Sequence, residues 1–186
     1  MTYVVVLLLS AAGVVVAVLF NRLVRDRNRV NAAWSDIDVQ LQRRHDLVPR
    51  LVDAVRHYAA YEKSTLEAVT ALRDAATRER NVAQLGDLEE ELANRVSRLL
   101  AVAEDYPDLK ASTNFAELQD ELVATENYLQ FARRFYNGAV RALNTRVESV
   151  PSNLVAAVFG FGCRDYFQKR SDDVANVPLV DLGRVE

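Results

Sequence analysis

Cysteine, histidine, glycine and proline are all scarce in this 186-residue chain: one, two, six and four residues respectively. The lone Cys163 can form no internal disulfide, which is compatible with a cytosolic bulk. No cysteine and histidine cluster stands at metal-ligand spacing, and His57 beside Tyr61 and Glu62 has no second histidine or cysteine to complete a site. There is no glycine-rich phosphate loop and no nucleophile elbow. Acids are plentiful but interleaved with arginines rather than isolated in apolar surroundings, so no carboxylate is set up for acid chemistry. The expectation is no catalytic residue, no metal and no cofactor. A formal charge of −3 argues against a nucleic-acid partner.

What is present favours helices. Half of the chain is apolar, aromatics are only 8% of it, and few residues would interrupt a helix. The length suits one compact domain plus an anchor.

Residues 31–52 organise the rest. Val30, Trp34, Ile37, Leu41 and Val48 recur at steps of three and four, whereas Asp36, Asp38, Gln40 and Arg43 fall off that face. The seam breaks at residues 43–46, where Arg43 and Arg44 suit the end of one helix and Asp46 the cap of another whose first turn accepts Pro49. The pattern predicts a helical hairpin turning there.

This stretch resembles the LemA family of bacterial membrane-associated proteins, through Asn31, Trp34, Asp36, Asp38, Arg43, Arg44, Asp46 and Pro49. The likeness returns at Tyr106, Pro107 and Lys110, at Arg134, Tyr136 and Asn137, and at Pro151 with Asn153. The resemblance implies a four-helix bundle on one N-terminal membrane helix. It implies no defined chemistry, although relatives in magnetosome-forming bacteria are linked to membrane invagination.

Residues 3–20 are uncharged and almost wholly apolar, with Tyr3, Val6, Leu9, Val15, Leu19 and Phe20 among them. At about 1.5 Å per residue they reach about 27 Å, close to the hydrocarbon thickness of a bilayer. A basic leader and a small-residue cleavage site are both missing, so a retained anchor is expected rather than a cleaved signal. Arg22, Arg25, Arg27 and Arg29 follow at once, opposed only by Asp26. By the positive-inside rule the N-terminus lies outside and the domain in the cytoplasm, on the bacterial inner membrane. The same arginines would also meet anionic lipid heads.

Three further helices are expected. The second covers residues 47–80, on a stripe including Leu51, Val55, Leu66 and Val69. The third is capped by Asp87 after a polar loop at 78–86, with Glu89, Glu90 and Glu91 crowding its N-terminus, and stops at Tyr106-Pro107. Leu109 should plug the core end. The fourth and longest starts from Ser112, Thr113 or Asn114 and carries Leu118, Leu122, Thr125, Leu129, Tyr136, Leu143 and Val147 inward. Its polar ribbon of Arg133, Arg134, Asn137, Asn144 and Arg146 is expected to pair with acids such as Asp36, Asp38 and Glu104.

The fold class is therefore all-α, a transmembrane helix followed by an antiparallel up-down-up-down four-helix bundle. The organisation reads 1–20 anchor, 21–150 bundle, 151–167 apolar segment and 168–186 loose tail, with 178–182 docked as an extended piece. An up-down course returns Pro151 to the bilayer. Leu154, Val155, Val158, Phe159, Phe161, Tyr166 and Phe167 then either meet lipid or a neighbouring subunit, or fold back to close the bundle end. The function this supports is a non-enzymatic membrane scaffold that forms homo-oligomers and organises the membrane. The alternative is a regulatory adaptor whose membrane-protein partner is a protease or an envelope-stress component. A hydrolase would need a pocket of perturbed acids among Asp36, Asp38 and Glu104.

Overall fold

The computed structural model describes residues 1–58 and 63–167. Over these the chain is all-helical, with six helices and no strand.

Helix α1, Thr2–Arg56, is one rod of 55 residues. No glycine or proline lies between Gly13 and Pro49 to stop it, and its buried side continues past the expected hairpin through Leu41, Arg44, Leu47, Val48 and Leu51. There is no turn at residues 43–46. Asp46 does not cap a helix but accepts from Gln42 Nε2 one turn back at 3.0 Å, and Pro49 sits inside the rod on its exposed side. An interior proline costs a helix about 3 kcal/mol. The fully buried Leu51, Val48, Val52 and Val55 around it are each worth about 1.5–3 kcal/mol, so burial outweighs the lost hydrogen bond.

The expected second helix is accordingly divided. Its first third belongs to α1, and the rest is α2, Lys63–Arg78. Residues 59–62, with Tyr61 and Glu62, lie outside the described residues, as do the tail at 168–186 and its expected docked piece.

Helix α3, Val82–Ala103, begins five residues before Asp87. Asn81 is its cap, and the side-chain oxygen takes the N–H groups of Ala83 and Gln84 at 3.0 Å each. This satisfies two donors that a first turn leaves unpaired. Tyr106 then leads into the single turn α4, Pro107–Lys110, which delivers Leu109 into the core as the plug its position suggested. Helix α5, Thr113–Glu148, follows Ser112, and α6, Ser152–Phe159, ends at Gly160. Gly160 has φ +70°, a left-handed conformation that glycine adopts without strain, and the next N–H returns to Ala156 O at 2.9 Å.

The core has two parts. The lower gathers Leu23, Ile37 and Leu41 of α1 with Leu129, Tyr136, Val140 and Leu143 of α5, together with Leu85, Val155 and Phe167. The upper gathers Leu47, Leu51 and Val55 with Leu66, Leu92, Leu99, Leu109, Phe115 and Leu118. Contact between α1 and α5 is the most extensive between helices among the described residues. Its partners move in step: Asp26 meets Arg146, Trp34 meets Tyr136, Arg44 meets Glu126 and Arg50 meets Glu121. As residue numbers rise along α1 they fall along α5.

Candidate membrane interface and buried ionic layer

The first 20 residues of α1 project from the rest of the chain. Val4 to Leu9 are each more than half exposed, and Leu19 and Phe20 are the first side chains to find partners. The helix is long and apolar enough to cross a membrane, and its most apolar stretch has no part buried within the chain.

Phe20 is where this rod meets the domain. Its ring stands edge-on to Phe159 at 4.8 Å and to Phe161 at 5.7 Å between centroids. Edge-to-face pairs at such distances contribute about 0.5–1.5 kcal/mol beyond simple burial. The end of α6 is thereby fixed at the base of the rod, where Arg27 lies over the Phe161 ring at 5.1 Å. Arg22 and Arg25 are exposed beside it, and Arg29 lies over Phe135 at 5.1 Å.

The seven candidate-interface residues, for which contact with lipid or a neighbour and folding back were both open, divide in two. Val155, Phe161 and Phe167 are buried in the lower core and cannot serve an external contact. Leu154, Val158, Phe159 and Tyr166 remain exposed. The division arises because α6 is amphipathic in itself, with Ser152, Val155 and Ala156 inward, and because the chain after Gly160 is held back along α5. Asn144 takes the Arg164 N–H at 2.8 Å and donates to its carbonyl at 2.9 Å. Asn137 does the same for Phe167, at 2.9 and 3.0 Å. The Tyr136 hydroxyl donates to Asp165 O at 2.9 Å. Burial pushes the Tyr136 phenol above its ordinary pKa, with Arg164 opposing and Asp165 reinforcing. Phe167 is fully buried against Trp34, under the Arg133 guanidinium. Trp34, Tyr136 and Asn137 thus act together as the clasp on residues 161–167.

Other motif residues are dispersed. Asn31, Asp36, Asp38, Arg43, Asp46, Pro49, Pro107, Lys110 and Arg134 are all exposed. Arg146 pairs with Asp26, and no ion pair among the described residues joins the α5 ribbon to Asp36, Asp38 or Glu104. Those three acids lie open to solvent, so they do not form the pocket that a hydrolase would ask of them.

A second cluster divides the two halves of the core. Glu89, fully buried, holds Arg44 Nη1 at 3.0 Å on one oxygen and His45 Nε2 at 2.6 Å on the other. Arg44 also pairs through Nη2 with Glu126, Thr77 Oγ1 lies 3.3 Å from His45 Nδ1, and Arg73 Nε donates to His45 O at 3.2 Å. Burial lowers the Arg44 pKa; Glu89 opposes that shift and Arg133 adds to it. Burial likewise lowers Arg133, against Glu89 and then Glu90. The expectation of Arg44 as a helix-end residue does not describe what this side chain does. The signal was present: Arg44 falls on the spacing of Ile37, Leu41, Val48 and Leu51, and Glu89 on that of Leu85, Leu92, Val96 and Leu99. Opposite charges on two inward stripes mark a buried pair.

Comparison with known proteins agrees with the motif blocks. The sequence model of the LemA family matches residues 33–182. Magnetosome protein MamQ 2 of Paramagnetospirillum magneticum is 24% identical, over 87% of this chain and 68% of that protein. Protein LemA of Metamycoplasma hominis is 26% identical, over 73% of this chain and 63% of its own length. Magnetosome protein MamQ of Magnetospirillum gryphiswaldense is 22% identical, over 87% and 68%. With the matched region running from the rod's emergence into the core to past the clasped segment, the chain belongs to the LemA family.

Proposed function

We propose that this protein is a non-enzymatic, single-pass membrane scaffold. Residues 1–20 anchor it, residues 21–150 form an antiparallel, up-down-up-down four-helix bundle on the cytoplasmic side of the inner membrane, and copies of the bundle self-associate to organise or remodel the bilayer. The observation that carries this reading is the continuity of α1. One uninterrupted helix has a wholly exposed apolar end and a core-forming remainder. Leaving some 18 apolar residues in water would cost far more than a soluble domain can offset, whereas in lipid they cost nothing.

The base of the domain fits the same placement. Leu154, Val158 and Phe159 are exposed on α6, whose Phe159 packs on Phe20, and there they would rest in the headgroup boundary with Arg22 and Arg25 against anionic lipid. Similarity to proteins named for the magnetosome supports a membrane-organising role.

Three measurements test it on the full-length chain. The protein should stay with membranes through an alkaline wash and become soluble when residues 1–20 are deleted. Protease applied to intact cells should spare the domain. Amine crosslinking in native membranes should give a ladder of homo-oligomers. Release of the intact chain by the wash removes the anchor, digestion from outside reverses the sidedness, and a strictly monomeric pattern removes the scaffold. A stoichiometric foreign protein in place of the ladder would favour the adaptor.

A further inference from the structure

Three aromatic side chains of α5 face solvent within two helical turns: Tyr128 is 60% exposed, Phe131 65% and Phe135 47%. Their spacing of three and four puts them on one face, and a contiguous exposed aromatic strip of this kind ordinarily marks a contact. Lipid does not cover it. The strip is level with residue 36 of α1, which at about 1.5 Å per residue stands about 24 Å above Phe20, beyond the headgroup layer.

At the height of residue 36 the two edges of the strip carry opposite charges. Arg29 lies over Phe135, so that face of α1 borders the strip. Asp36, seven residues on, shares the face and is exposed, with no ion-pair partner among the described residues. Arg134 marks the far edge, exposed, with its guanidinium 4.9 Å over Phe131 and its Nε donating to Gln130 O at 3.3 Å. By the register of Asp26 with Arg146 and of Trp34 with Tyr136, Asp36 and Arg134 stand at the same height.

Resting on the scaffold reading above, we propose that two copies anchored in one membrane meet through Tyr128, Phe131 and Phe135, with Asp36 of each paired to Arg134 of the other. A common membrane forces the copies to stand parallel, so equal heights meet. A two-fold axis along the rods then sets the left edge of one strip against the right edge of the other. The interface is self-complementary: an aromatic centre, flanked by two acid–arginine pairs.

The test uses full-length protein carrying either of two tags, co-expressed and crosslinked in native membranes. Asp36→Arg alone places arginine against arginine, and Arg134→Asp alone places acid against acid. Each should lower recovery of its own dimer about tenfold, a change of about 1.4 kcal/mol. Co-expressed, the two single variants should pair with each other at the wild-type level, because that heterodimer restores both contacts. No within-chain effect can produce this rescue, and the rescue shows that both variants fold. Phe131→Ser with Phe135→Ser should weaken dimers without rescue by either. If the single variants dimerise like wild type, or co-expressed variants remain apart, this face is not the contact although self-association stands. If wild type is monomeric, or the strip captures a foreign protein instead of itself, self-association and this face both fall.

Discussion

The side-chain amide of Asn137 encloses the backbone of Phe167, accepting its N–H at 2.9 Å and donating to its carbonyl at 3.0 Å. Two hydrogen bonds from one amide fix a residue 30 positions away, and the fixed residue fills the gap between Trp34 and Arg133. Removing the amide leaves half-buried backbone groups without partners. Asn137→Ala should therefore lower unfolding stability by about 1–3 kcal/mol. Asn144→Ala, whose bonds are exposed, should cost less. Urea midpoints in detergent decide it, and equal effects would contradict the difference in burial.

Glu89 is compensated by two cationic or hydrogen-bonding neighbours in a place water does not reach. Glu89→Ala leaves buried Arg44 with Glu126 alone and takes away the carboxylate that His45 meets, and should cost about 3–5 kcal/mol. Combining Arg44→Met, His45→Leu and Glu89→Leu should recover most of that loss, because an apolar layer has no charge to desolvate. A triple variant no more stable than Glu89→Ala would mean that the layer is needed for folding rather than merely tolerated.

Tyr136 offers a dependence on pH with a definite sign. Burial raises its folded pKa above the ordinary 10.0, so the folded state prefers the neutral phenol. The stabilisation is fully present below about pH 10 and is lost as pH rises through the raised folded value. An alkaline titration by near-ultraviolet absorbance should show one late-ionising tyrosine that disappears in Tyr136→Phe. Above pH 10 the wild type should lose urea resistance faster than the variant does.

Pro49 distinguishes a continuous rod from a hairpin. Inside a helix and exposed, its replacement by alanine should raise stability by as much as about 3 kcal/mol, seen as a higher melting temperature. In the first turn of a new helix, proline would be well suited and the same change neutral or harmful. A lower melting temperature would restore the hairpin.

The hairpin expectation failed for an instructive reason. Residues 43–46 are polar, and polarity in a sequence reads as exposure. Arg44 and His45 are nevertheless buried, because their compensating charge arrives from Glu89, 45 and 44 positions away. The cap of α3 was missed similarly, since Asn81 and Asp87 are equally good capping residues and only the buried placement of Leu85 and Gly86 selects the earlier one. The stop at Tyr106 and the plug at Leu109 were legible because Pro107 limits the backbone around it, and the start of α5 fell at the expected Ser112 although its side chain makes no capping bond. So was the spacing of Leu118, Leu122, Leu129 and Leu143, which turn toward the core as their period requires.

The sequence by itself determined the apolar rod, the helical class and most inward faces, for these rest on interactions within a few residues along the chain: apolar runs, steps of three and four, and backbone-limiting prolines. Only the tertiary structure decided where α1 ends, which charges lie inside, and that Phe161 and Phe167 fold home while Leu154, Val158 and Phe159 face out. Those outcomes are set by partners remote in sequence, whose burial and hydrogen bonds outweigh the local preference of the residues they meet.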